Sequence, residues 1–227
     1  MNQPVPNACI EPMVSVEAKP VARGETATLR TKPRILIACL VGLLLLLASC
    51  SEPQLAGMVR QPTPNVADVT LPDVTNGGRE FPTIAQESRL LAVYFGYTQC
   101  PDICPTTMAD LRSAVEDLGT EGDRIDVAFV TVDPERDTPE RLASYIQAFF
   151  DDGIALRTED PARLAKAAAS FGTIYEVTKA DDGSIDVAHS TLLSVIDSQG
   201  NILVQWPFGT TADDMRSDLK ILLKRRT

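Results

Sequence analysis

Leu90-Leu91-Ala92-Val93-Tyr94-Phe95-Gly96-Tyr97-Thr98-Gln99-Cys100-Pro101-Asp102-Ile103-Cys104-Pro105 is the stretch on which the reading of this chain turns. Residues 90–95 form a continuous apolar run, the pattern of a strand buried on both faces. Pro105 suits the first turn of a helix, and Met108, Leu111, Val115 and Leu118 give that helix an apolar stripe ended by Gly119. The two cysteines therefore fall where a helix N-terminus emerges from a buried strand. The positive end of the helix dipole favours thiolate there, the form that binds soft metals and attacks disulfides.

Working outward, Ile125–Val132 reads as a second buried strand. Thr138-Pro139-Glu140 starts a helix through Phe150, and Asp160-Pro161 starts another ending near Gly172. Ile174–Thr178 and Ile185–Val187 are strands across the Asp182-Gly183 turn. Leu192–Ile196 and Ile202–Trp206 are strands across Ser198–Asn201. Asp213–Lys224 is a terminal helix with Met215, Leu219 and Leu222 on one face. Upstream, Val66–Val74 followed by Gly77-Gly78 reads as a short strand and turn. This alternation of strands and helices followed by hairpins predicts an α/β fold, a thioredoxin-like mixed sheet flanked by helices, with an insertion between its second strand and its hairpin.

The N-terminal part has a different composition. Arg30, Lys32 and Arg34 precede an apolar run from Ile35 to Leu47, which reaches 15 residues when counted on to Ser49. A bilayer-spanning helix needs about 20 residues, so the run matches the core of a signal peptide. Leu47-Ala48-Ser49-Cys50 resembles a bacterial lipobox, implying cleavage before Cys50 and lipidation of its thiol; an uncleaved membrane anchor is the other reading. We therefore expect a signal peptide or anchor over 1–49, a proline-rich tether over 50–65 and a folded domain over 66–227, held outside the cytoplasm at a membrane. Residues 1–49 carry a net charge of +2 and the remainder −12. Such an acidic body is a poor nucleic-acid binder.

This organisation recasts the cysteine count. Of five cysteines, Cys9 and Cys39 lie in the leader and Cys50 is the lipidation candidate, which leaves Cys100 and Cys104 in the body. A bridge between residues so close closes almost no loop, so stabilisation does not explain the pair; metal binding or redox chemistry does. The single histidine, His189, lies between two strand runs. In a thioredoxin-like sheet the returning hairpin lies beside the strand–helix loop, which would make His189 a third ligand. Two thiolates and an imidazole suit copper, as Cu(I) or Cu(II). Asp133 ends the second strand, on the edge expected to hold the cysteines. It reads either as an outer-sphere carboxylate near the metal or as a turn residue before Pro134. Asp137 reads as a helix-start residue, and Tyr97 and Asp102 as walls of the pocket.

The Phe95–Pro105, Val132–Pro139 and His189-Ser190-Thr191 blocks together resemble the Sco/SenC family of membrane-tethered copper proteins, from about Val66 to the C-terminus. The resemblance implies copper held by Cys100, Cys104 and His189, and an acidic residue at Asp133 near the metal. It implies a role in assembling the CuA centre of cytochrome c oxidase. The partners would be the copper-accepting oxidase subunit and other periplasmic copper chaperones. Gln99 stands where many members have a second histidine, a position outside the ligand set. Two functions follow. One is a copper metallochaperone, which needs the cysteines and His189 and has no catalytic residue. The other is a thiol–disulfide oxidoreductase that reduces the cysteines of the acceptor site, which needs only the cysteines. No proline faces the pair from Ala188–Thr191, unlike thioredoxins, and this favours the chaperone.

Overall fold

The computed structural model describes residues 54–225. The 35–49 apolar run and Cys50, on which the leader reading rests, lie outside the described residues, as do Cys9 and Cys39. Among the described residues no helix is long and apolar enough to cross a membrane.

Strand β3 (Leu90–Gly96) is the spine of the molecule, with every residue buried. Side chains alternate across a strand. Leu90, Ala92 and Tyr94 therefore enter one core, and Leu91, Val93 and Phe95 enter the other. Its neighbour β4 (Ile125–Thr131) runs parallel to it, with Leu90 opposite Ile125 and Gly96 opposite Thr131. Strands β1 (Thr70–Asp73), β2 (Arg79–Pro82), β5 (Ile154–Leu156), β8 (Leu193–Ile196) and β9 (Ile202–Trp206) complete a seven-stranded mixed sheet in the order β2-β1-β5-β4-β3-β8-β9.

Helices cover both faces. On one side α1 (Ile103–Glu116), α2 (Pro139–Gln147) and α4 (Ala212–Lys224) bury Met108, Leu111, Leu142, Ile146, Met215 and Leu219. On the other, α3 (Pro161–Phe171) buries Leu164, Ala167, Ala168 and Phe171. The predicted caps form: Thr138 accepts from the Arg141 amide, and Asp160 accepts from those of Ala162 and Arg163.

The structure differs from the sequence reading in several places, beyond the shorter helix after Thr138 and the shorter first strand. Strands β2 and β5 are additional, four and three residues long, too short to show a period. Strands β6 (Tyr175–Lys179) and β7 (Ile185–His189) leave the main sheet and pair only with each other. They cannot extend it: Glu176–Lys179 are exposed, so β6 has no apolar face to bury. Finally, the end of the 50–65 segment does not stand off as a tether. The amides of Ala56 and Gly57 donate to the Asp218 carboxylate at 2.8 and 3.0 Å, Met58 bridges Gln205, and Asn65 bridges Asn201. Trp206 Nε1 donates to the same carboxylate at 2.9 Å. A Cβ on Gly57 would lie 2.4 Å from Trp206 Cδ1, so only glycine permits this approach.

Asp218 is 1% exposed and satisfies three donors from two other segments. Asp218→Ala leaves those donors unpaired and should cost about 3 kcal/mol of stability in denaturant unfolding; a loss below about 1 kcal/mol would contradict this role.

Candidate metal centre

Parallel pairing carries β3 and β4 to the same edge, where the Val132 amide donates to the Gly96 carbonyl at 2.8 Å. The chain after β3 turns through Tyr97–Cys100, with the Cys100 amide donating to Tyr97 O at 3.2 Å, and enters α1. The helix starts at Ile103, two residues before Pro105, with Asp102 at its cap. Cys104 thus lies inside the first turn rather than at the cap, and its amide donates to Cys100 Sγ at 3.3 Å. Cys104 packs against the end of β3, where a Cβ on Gly96 would come within 3.0 Å of its sulfur.

His189 ends β7 and brings Nε2 to 3.5 Å from Cys104 Sγ. Its Nδ1 lies 3.0 Å from the Ser190 carbonyl, a partner that can only accept. That contact assigns the proton to Nδ1 and leaves the Nε2 lone pair facing the sulfur. The rings of Tyr94 and Tyr97 meet the imidazole edge-on, at centroid distances of 6.0 and 5.9 Å. The donor atoms of Cys100, Cys104 and His189 all lie within 4.8 Å of one another. A first-row metal holds sulfur at about 2.3 Å and imidazole nitrogen at about 2.0 Å, so the three donors fit around one ion after small shifts.

Burial reverses the expectation that both cysteines favour thiolate. Cys104 is fully buried, and desolvation pushes its thiol well above the ordinary range; the Cys100 side chain beside it acts in the same direction. The helix N-terminal amide serves Cys100, which is half-buried. Burial also lowers the His189 pKa, against the opposing hydrogen bond to Ser190, so the imidazole is neutral at neutral pH and ready to ligate.

Asp133 does not join the donor cluster. It is 2% exposed and pairs with Arg136. Asp137, read as a helix-start residue, has the larger part in shaping the loop. It is fully buried, and it accepts from Thr98 N at 3.0 Å, Thr98 Oγ1 at 2.5 Å and Thr131 Oγ1 at 2.6 Å. This carboxylate ties the cysteine loop to the end of β4. Its position just after a buried strand is the one signal the sequence offers; its partners lie 39 and 6 residues away. Tyr97 and Asp102 line a groove of about 340 Å³ with Cys100, Ile103, Val187 and His189.

The SCO1/SenC family model matches residues 73–224. The chain belongs to the SCO1/SenC family. A SCO2-like protein of Rickettsia conorii is 32% identical over 187 residues, covering 79% of this chain and 90% of its own. The structure of Bradyrhizobium japonicum ScoI with copper bound matches at 28% identity with a TM-score of 0.58, covering 70% of this chain and 97% of that one. Apo Sco1 of Thermus thermophilus matches at 28% identity and 0.64, covering 74% and 97%. The mixed sheet and its helices are thus the thioredoxin-like fold of the SCO1/SenC proteins.

Exposure makes Cys100 the more reachable thiol, and burial holds Cys104 in its unreactive protonated form. Iodoacetamide near neutral pH should label Cys100 before Cys104 in the reduced protein, read by peptide mass spectrometry; initial labelling at Cys104 would contradict the assignment. Metal loading must also displace the Cys104 proton, so apparent affinity should rise with pH through the neutral range.

Proposed function

We propose that this protein is an extracytoplasmic copper chaperone. It carries copper on Cys100, Cys104 and His189, and delivers it to the CuA site of cytochrome c oxidase. The observation that carries this reading is the convergence of two sulfurs and one imidazole nitrogen within 4.8 Å. Thiolates favour Cu(I), and the imidazole accommodates either oxidation state. Family membership supports it, as does the copper bound in the Bradyrhizobium ScoI structure. The tethering reading rests on the 35–49 run and on Cys50 as the lipidated residue.

The geometry suits cargo transfer by ligand exchange. Cys104 is sealed against the core, whereas Cys100 and His189 border the groove. An incoming thiolate or imidazole enters from the groove and displaces the outer ligands first. The buried sulfur lets go last.

A second reading is a thiol–disulfide oxidoreductase acting on the acceptor's cysteines. It is favoured by one observation: both thiols are free and adjacent. Forming the Cys100–Cys104 bond releases two electrons and two protons to the acceptor disulfide, which becomes a dithiol. The oxidised pair offers no thiolate, so the two activities exclude each other in any one molecule.

His189→Ala separates them. The variant should lose more Cu(I) affinity than the roughly 10–100-fold of outer-sphere changes, read in competition with a chromogenic chelator, while its cysteine pair still cycles with a dithiol. Unchanged copper affinity would sink the three-ligand reading.

A further inference from the structure

His189 sits on a ribbon that the main sheet does not hold. Strands β6 and β7 pair only with each other, and Glu176–Lys179, Asp186 and Ala188 are exposed. Yet the imidazole must stay in register with cysteines on a different loop. Few polar contacts fix that distance. At the base, Ser190 N donates to Ile174 O at 2.8 Å and Ile174 N donates to Ser190 Oγ at 3.0 Å. Val187 is buried in the α3-side core. Tyr175 and Ile185 pack, partly buried, against the same core, and the imidazole meets Tyr94, Tyr97 and Cys104. The polar side-chain ties to the two strands come from one segment, residues 133–137. Glu135 pairs with Lys179 at the surface, where both side chains are more than half exposed and the pair counts for little. Arg136 makes the other.

The Arg136 guanidinium reaches three parts of the site at once. Its Nε donates to Asp133, the buried carboxylate at the end of β4. Its Nη1 points to the Ile185 carbonyl of β7 at 3.4 Å. Its Cζ lies 5.8 Å from the centroid of Tyr97, whose ring meets His189 edge-on. Nη2 is buried with no hydrogen-bond partner among the described residues. A planar, multi-donor cation can serve three directions simultaneously; a lysine ammonium on a flexible stem cannot hold that geometry. Asp133, in turn, fixes where the guanidinium sits.

We infer that Arg136 is a positioning residue that clasps the His189 ribbon against the cysteine loop, so that it governs copper binding through His189 and leaves the cysteine pair's redox chemistry alone. The inference rests on the three-ligand reading above. It also gives the acidic position at Asp133 a definite role, because the carboxylate orients the clasp instead of approaching the metal.

The test is Arg136→Lys, alone and combined with His189→Ala. Lysine keeps a cation beside buried Asp133 and so protects the fold; Arg136→Met, which removes every donor, is the stronger second variant. Cu(I) affinity is read by chelator competition, and the disulfide midpoint in glutathione redox buffers. Arg136→Lys should lower Cu(I) affinity about tenfold, and Arg136→Met by more, within the 10–100-fold range of outer-sphere substitutions. Neither should lower the affinity further once His189 is alanine, and neither should move the disulfide midpoint. Unchanged affinity in folded Arg136→Lys and Arg136→Met overturns the inference. So does an equal loss in the His189→Ala background, or a shifted midpoint. If Arg136→Met does not fold, Arg136→Lys decides on the same readings. If His189→Ala itself leaves affinity intact, the three-ligand reading fails and the clasp falls with it. Loss in His189→Ala with no change in the Arg136 variants refutes the clasp alone.

Discussion

Leu90–Gly96 and Ile125–Thr131 run in parallel, so both strands release their chains at the same edge of the sheet. The cysteine loop and the segment that braces it hang from that edge; only His189 comes from the separate β6–β7 ribbon. The cysteine loop leaves β3 there, the Asp133–Asp137 segment leaves β4 there, and Asp137 joins the two through Thr98 and Thr131. The ladder beneath is buried on both faces and cannot shift register without moving apolar side chains out of two cores. A rigid floor thus fixes the cysteine loop, so that only the His189 ribbon must be brought to it.

The two sulfurs sit in different surroundings. Cys104 is pressed into the core, and desolvation favours its protonated form. Cys100 stays at the rim and takes the helix-terminal amide. An ion that binds must expel the inner proton, so weakly thiophilic cations gain little from the site. The outer sulfur and the imidazole remain accessible from the groove. A metal bound there would meet one donor sealed in the core, Cys104, and two at the groove, Cys100 and His189.

The spine, its parallel partner and the helix after the cysteines were legible in the sequence because each repeats an apolar period over several turns or the full length of a strand. The cluster of Cys100, Cys104 and His189 was legible because the body offers only two cysteines and one histidine. What stayed hidden depends on long-range partners. Asp137 looked like a cap because its donors, Thr98 above all, are distant in sequence. Asp218 drew no notice on the terminal helix, because the Ala56 and Gly57 amides it holds lie 162 and 161 residues away. The separate β6–β7 ribbon escaped because its strand composition matches that of sheet strands; only its exposed outer residues set it apart. The thiolate expectation failed for Cys104 because dipole position is visible in a sequence and burial depth is not.

X-ray absorption at the copper edge of the Cu(I)-loaded, reduced protein tests the central claim most directly. A site built from Cys100, Cys104 and His189 predicts two sulfur scatterers at about 2.3 Å and one imidazole nitrogen at about 2.0 Å. A first shell of oxygen and nitrogen alone, or with a single sulfur, would contradict it.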